Sequence, residues 1–396
     1  MTAKVPYGWA ERAPLLELDF PVAEFSGRIA RIQAALEESE AEALLIWEEA
    51  DRGGNVRYLT GFNMVWGSSI VLVHKSNPPV LVTNAIAHGE PMHSNIQTTW
   101  MEDVRVSFSG SASDLHALAA SVLAEWGVAA NKVPVAGHAL APYAAARPLF
   151  EGHGEANIAA GDALMERLRA KKSVAELTII RRAAVLTSKA MDAAMVAATV
   201  GNSESHVAAE AHYVCMEGGA ERMSFGCFPS AGRRGNLKNI FPSPDRLIRM
   251  SDLVVIDLGC KLQGYQSDMS RNVVTRPTQL VRDVLTATQA ANDAAFVHTR
   301  PGVTTHSVIE VMNKVIAEHG FASWDFTLCH GFGLDLTETP VFRSRPPLAL
   351  EPGMCFFVEP IIAHESFGCA CIEDMLVVTE SGCEKISGTS APSVYE

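Results

Sequence analysis

The chain has 396 residues, 48% of them apolar and 19% charged, and a formal net charge of −13. That length exceeds one ordinary core, so two domains are expected. The acidic balance argues against nucleic acid or anionic membrane as a default partner, and no apolar run reaches membrane-spanning length.

Predicted elements alternate from the start. MTAKVPYGWAERAPLLELDF lacks a continuous apolar segment, so neither a signal peptide nor a membrane anchor is expected there. EFSGRIARIQAALEESE has helical spacing, and EALLIWEEA reads as a strand. SSIVLVHK and PVLVTNA are β-branched runs around the turn SNPP. The helix SDLHALAASVLAEWG and the short strand KVPVAG complete an α/β domain over residues 1–160. The stretch ALMERLRAKKSVAELTIIRRAAVLTSKAMDAAMVAA, almost free of glycine, predicts one long helical connector.

Residues 161–396 form the second expected domain. After the helix SESHVAAEAHYVCMEGG, SDLVVIDLGCKLQGYQSDMSRNVV reads as a β-hairpin. Two helices follow, VRDVLTATQAANDAAFVHT and HSVIEVMNKVIAEHG, and the chain closes on the strand pair MCFFVEPII and CIEDMLVVTESGCEKIS. Helices backing strands that carry inward carboxylates predict an α+β domain whose curved antiparallel sheet cradles a site. Cysteines 215, 227, 260, 329, 355, 369, 371 and 383 include no CxxC pair and mostly lie in apolar runs. Buried free thiols in a cytoplasmic protein are the expectation.

Five residues carry the chemistry: Asp257, Asp268, His330, Glu359 and Glu373, in the contexts VVIDLG, YQSDMS, LCHGFG, FFVEP and CIEDML. Four carboxylates in apolar surroundings are prohibitively unfavourable together unless a cation neutralises them. The hairpin can bring Asp257 and Asp268 to one face, with Gly259 and Gly264 allowing the bend. One bridging and one chelating aspartate are what a pair of metal ions requires. The oxygen-rich set with a single imidazole suits two divalent ions drawn from Mn, Fe, Co or Zn.

These blocks resemble the pita-bread metallohydrolases: Xaa-Pro aminopeptidases, prolidases, methionine aminopeptidases and the metal-free creatinases. NVRYLTGF and RAKKSVAELTIIRRA are similar to the family's N-terminal and inter-domain signatures, and SDLVVIDLG, GYQSDMSR, HGFGL, LEPGMCFFVEP and IEDMLVVTESGCE to its metal-binding blocks. The resemblance covers nearly the whole chain. It implies an α/β N-terminal domain followed by an α+β pita-bread domain, and a dinuclear centre on Asp257, Asp268, His330, Glu359 and Glu373. It also implies a homodimer in which the N-terminal domain borders the partner's site, where Trp66 is the candidate contact.

The sequence departs from the peptidase pattern at three positions where the resemblance implies histidine: Ile240, Phe326 and Thr337 stand there instead. Candidate substitutes are Arg233, Arg234 and Lys238 for a substrate carboxylate, Thr337 and Trp66 for substrate contact, and His364 as a proton shuttle. Glu359 is expected to combine ligation with proton acceptance. Asp335 and Glu338 are expected to orient His330, and Arg271 to pair with a ligand carboxylate. The leading expectation is therefore a dinuclear hydrolase of a C–N bond in a small molecule. An Xaa-Pro dipeptidase or aminopeptidase is the alternative, then a metal-dependent lyase of a small osmolyte, then a non-catalytic binding module.

Overall fold

A computed structural model describes residues 2–4, 13–15, 18–50, 53–64, 66–84, 99–107, 111–137, 155–238, 240–322, 328–343, 346–390 and 393–395. The chain divides into two compact units, Met1–Leu168 and Arg169–Glu396. The expected border at 160 falls inside a helix, Glu155–Ala170.

Among the described residues, the N-terminal unit has six strands: β1 (Thr2–Lys4), β2 (Ala43–Glu49), β3 (Ser68–His74), β4 (Val80–Asn84), β5 (Asp103–Ser107) and β6 (Val135–Ala136). Their order is β1-β5-β4-β3-β2-β6, with β4/β5 and β2/β6 parallel and the other neighbours antiparallel. Helices α1 (Val22–Glu37), α2 (Asn55–Thr60) and α3 (Ala112–Glu125) interleave with them. Alternate residues of the central strands, Leu45, Trp47, Ile70, Leu72 and Val82, bury against Leu115, Leu118 and Val122 of α3.

The predicted single connector is two helices, α4 (Glu155–Ala170) and α5 (Val174–Ala197). Ser173 ends the continuity. Its hydroxyl accepts from the Glu176 amide, and the Glu176 carboxylate accepts from the Ser173 amide, so a new helix starts on a complete capping box.

The C-terminal unit continues with α6 (Glu204–Glu217), β7 (Arg222–Cys227), β8 (Ser230–Ala231), β9 (Val254–Leu262), β10 (Tyr265–Gln266) and β11 (Met269–Thr275). Then come α7 (Gln279–His298), α8 (Thr305–Glu318), β12 (Leu328–Gly331), β13 (Glu338–Val341) and β14 (Cys355–Glu359). A hairpin, β15 (Ile361–His364) and β16 (Gly368–Cys371), precedes β17 (Asp374–Val378), β18 (Cys383–Lys385) and β19 (Val394–Tyr395). One sheet centres on the expected β9/β11 hairpin; a second, antiparallel throughout, runs β13-β12-β14-β17-β18. A bridge between Ser270 and Glu373 joins the two.

Strand periodicity decides which side chains face the site. On β9, Val254, Ile256 and Leu258 bury against Met191, Met195 and other residues of α5 and α6. On β14, Phe356 and Val358 bury against Val284, Ala291 and Met312 of α7 and α8. The intervening positions Asp257, Phe357 and Glu359 therefore point to the opposite face. The same parity turns Cys329 and Leu376 toward the helices and leaves His330 and Glu373 on the inner side.

The hairpin bends where glycine is required. Gly264 has φ of 85°, in the left-handed region. A Cβ on Gly259 would lie 1.8 Å from the Ser267 carbonyl oxygen, so this glycine serves a close approach of two backbones. Gly259→Ala is expected to cost about 1–3 kcal/mol through overpacking, read as a lower urea midpoint, and to disturb the spacing of Asp257 and Asp268.

Candidate metal centre

The inner face gathers the five singled-out residues. Asp257 on β9 is paired in register with Ser270 on β11. The Ser270 hydroxyl lies 2.7 Å from Asp257 Oδ1 and 3.1 Å from Glu373 Oε2, able to donate to either carboxylate. The Glu373 amide donates to the Ser270 carbonyl at 3.0 Å, fixing the start of β17 beside β11. Asp268 Oδ1 accepts from the Met269 amide at 2.8 Å. His330 stands edge-on to Phe357, with centroids 4.9 Å apart, and Phe357 stacks on Phe332 at 4.1 Å. Asp268, His330 and Glu373 each place one donor atom within 4.8 Å of the others.

The charge state of this cluster tests its fitness for a cation. Burial first, then the neighbouring Glu373 and Asp257 carboxylates, hold the Asp268 carboxyl well above the usual range. Burial likewise raises Glu373 to about 7; Lys238 opposes that rise and Asp257 adds to it. Burial lowers His330 despite opposing backbone hydrogen bonds to Gly331 and Leu336, leaving the neutral imidazole that ligates metal. Two crowded carboxylates and a neutral imidazole are a donor set that a divalent ion suits.

Lys238 supplies the positive charge already present. It follows a 3-10 turn, Gly232–Leu237, and its ammonium pairs with Glu359 Oε1 and lies 3.3 Å from Asp257 Oδ2. Burial opposes this ammonium, yet the surrounding acids, Asp257 foremost, keep its pKa well above the ordinary lysine value. The expectation that Lys238 binds a substrate carboxylate is corrected: its partners are two of the predicted metal ligands.

Other expected roles also change. Arg234 is committed to Glu204, a fully buried carboxylate 3.2 Å from its Nε that also accepts from the Ala231 and Ser243 amides. Arg234 thus fastens the turn carrying Lys238. Arg233 is exposed, with Glu365 at 3.6 Å. His364 lies at the exposed turn that ends the otherwise buried β15–β16 hairpin, where Nδ1 meets the Ser366 hydroxyl at 2.8 Å; it is not brought to the carboxylates. Thr337 is exposed between β12 and β13, Trp66 is exposed on the N-terminal unit, Ile240 is half-buried, and Phe326 lies outside the described residues.

Glu338 and Asp335 do not orient His330. Glu338 pairs with Arg169 and, at 2.7 Å, with Lys172, while Asp335 takes Arg169 at 2.7 Å. Arg271 pairs with Asp374 at 2.6 Å instead of a ligand carboxylate, and donates to the Glu373 and Ser270 backbone carbonyls at 2.8 and 2.9 Å. Sequence reasoning missed Ser270 and Asn272. Both share Asp268's strand parity, the signal that could have found them, and Asn272 holds the Cys369 carbonyl at 2.9 Å and the Cys371 amide at 2.7 Å. The cysteines are all free, and all but the half-buried Cys383 are buried.

Buried carboxylates on facing strands, with an imidazole among them, define a hydrolase-type metal centre on a two-unit scaffold. Residues 178–380 match metallopeptidase family M24, and residues 28–171 match the creatinase/prolidase N-terminal domain. The chain belongs to metallopeptidase family M24. It is similar to the Xaa-Pro dipeptidase of Pyrococcus horikoshii, 32% identical over 230 residues that cover 58% of this chain and 65% of that relative. The matched region thus spans just under two thirds of that relative's own length. Among solved structures, dipeptidase PepE from Mycobacterium ulcerans superposes with a TM-score of 0.80 at 26% identity, covering 95% of this chain and 98% of that one. The prolidase from Pyrococcus horikoshii OT3 gives 0.77 at 24% identity, covering 93% and 99%. The architecture is therefore the creatinase-type α/β domain followed by the pita-bread domain. Enzymes of the family use pairs of divalent ions such as Mn, Zn or Co, and the Asp268–His330–Glu373 cluster matches that requirement.

Proposed function

We propose that this chain is a metal-dependent dipeptidase hydrolysing the C–N bond of Xaa-Pro-type dipeptides, as a cytoplasmic homodimer. The convergence of Asp268, His330 and Glu373 donors within 4.8 Å carries the reading, and the names of the relatives favour a dipeptide over another small amide. Free, largely buried cysteines accord with a reducing compartment. Among the described residues no helix is long and apolar enough to cross a membrane. The homodimer rests on the family resemblance.

Asp257, Asp268, His330, Glu359 and Glu373 hold the ions. When bound, divalent ions acidify a coordinated water and polarise the scissile carbonyl. Ser270 fixes the orientation of Asp257 and Glu373; Phe357 packs against His330 and Phe332 stacks on Phe357, limiting water on that side. Glu359 takes up the proton released during hydrolysis. Arg233 is the basic group of its loop left exposed for a substrate carboxylate, and Trp66 and Thr337 are candidate substrate contacts.

The full chain, loaded with Mn²⁺ or Co²⁺, is expected to cleave Ala-Pro and Gly-Pro in preference to Ala-Ala, and a chelator is expected to abolish turnover. Loaded protein that leaves Xaa-Pro dipeptides intact would defeat this reading. The half-buried Ile240 and the exposed Thr337, where the resemblance implies histidine, favour one second reading: hydrolysis of a small amide other than a dipeptide. An elimination product instead of a hydrolysis product would mark a lyase.

A further inference from the structure

The four acids and the imidazole of the centre do not share one environment. Asp268, His330 and Glu373 aim their donors at one another. Asp257 and Glu359 aim theirs at the Lys238 ammonium, 3.3 Å from Asp257 Oδ2 and paired with Glu359 Oε1. An ammonium among carboxylates occupies the space, and neutralises the charge, that a divalent ion would otherwise take there.

The lysine is built into place. Its amide donates to the Gly235 carbonyl at 3.0 Å, and the Gly232 amide donates to the Leu253 carbonyl at 2.9 Å, which seats the turn at the start of β9. A Cβ on Gly235 would come within 3.3 Å of the Cys369 amide nitrogen, and one on Gly368 within 2.2 Å of the Gly232 carbonyl, so the turn also lies hard against β16. Arg234 and Glu204 pin its other side. Lys238 itself is 6% exposed. An ordinary surface lysine that happened to fold inward would not need this support.

We propose that the Lys238 ammonium is an internal counter-cation filling the Asp257–Glu359 half of the centre. The chain then binds one divalent ion firmly at Asp268, His330 and Glu373, and a second only by displacing Lys238. The inference rests on the metal-binding part of the proposed function, and it makes the two positions unequal by construction. It also links occupancy of the second position to the conformation of the Gly232–Leu237 turn, since an ammonium leaving the acids must carry that turn or its own side chain outward.

Calorimetric titration of the metal-free full chain with Mn²⁺ tests this without any turnover assay, with elemental analysis after dialysis as a second readout. Wild type is expected to bind one ion in a tight step and a second about 10- to 100-fold more weakly, the usual range for two coupled sites. Lys238→Met keeps the side-chain length and removes the charge. It is expected to leave the first step within about threefold and to strengthen the second by about tenfold or more. Should that variant fail to fold without metal, Lys238→Gln, which also removes the charge, is titrated in its place with the same expected strengthening of the second step. Two equivalent tight steps in wild type, no metal binding, or a second step indifferent to the Lys238 substitutions would each overturn the proposal. Failure to cleave Xaa-Pro dipeptides would leave these isotherms untouched, so the two readings fail separately.

Discussion

Replacing Glu338 by Gln is expected to destabilise the C-terminal unit by about 3–5 kcal/mol at neutral pH, the cost of breaking a buried ion pair by removing one partner. Glu338 lies between two buried cations, pairing with Arg169 and with Lys172, whose Nζ is 2.7 Å from Oε1. The substitution leaves a neutral amide facing two charges that remain sequestered from water. At about 2–4 °C per kcal/mol for a unit of this size, the thermal midpoint is expected to fall by roughly 10 °C. Burial opposes the Glu338 charge, but Arg169 and Lys172 outweigh it and hold the carboxyl below its usual range. A depressed folded-state value means that the stabilisation is present above the ordinary glutamate range and disappears as pH falls through the depressed value. The gap between wild type and Glu338→Gln should therefore be full at pH 7 and close in strong acid. Urea midpoints of both proteins at pH 7 and near pH 3 measure it, and a gap that stayed constant would show that the lost contact was not ionic.

Glu338 also shows how far sequence reasoning reaches. Its nearness to His330 along the chain suggested a role in orienting the imidazole. The cations that claim it lie on and just after α4, more than 160 positions away, a distance across which periodicity carries no information. Asp257 and Glu359 were legible because each follows an unbroken apolar run, VVI and FFV, which puts charge where only an enclosed face can receive it. The division of the connector helix was legible in principle, because Ser173 and Glu176 stand at capping-box spacing; a continuous run of good helix formers hid it. Lys238 was noticed but assigned to a substrate. Whether a basic residue on a loop points outward or into a cluster depends on how that loop is seated, and Gly235, Gly368 and the Glu204–Arg234 pair that seat it belong to separate segments. Charge type can be read locally, whereas charge partners are a tertiary property.

The contrast between Asp268 and His364 is expected to separate the centre from its surroundings. Asp268→Asn preserves the shape of a donor in the Asp268–His330–Glu373 cluster while removing its charge. Loss of a metal-ligating carboxylate forfeits several kcal/mol of charge stabilisation, and each 1.4 kcal/mol is about tenfold. Turnover should therefore fall by about 10³-fold or more, with metal content falling in parallel. The metal-free variant should nonetheless be at least as stable as metal-free wild type, because a carboxylate crowded by Glu373 and Asp257 has been neutralised. A loss of activity joined to a loss of folding would instead mark Asp268 as structural. His364→Ala should behave in the opposite manner, with turnover and metal content within about twofold of wild type, the modest effect usual for substitutions away from buried or reacting groups. Its imidazole is engaged by Ser366 in an exposed turn, where a proton accepted from the centre would have no bonded path among the described residues. A drop of tenfold or more in kcat for His364→Ala, with metal content intact, would mean that the β15–β16 hairpin folds over the centre during the reaction. Proton transfer would then have to be reassigned from Glu359 to His364.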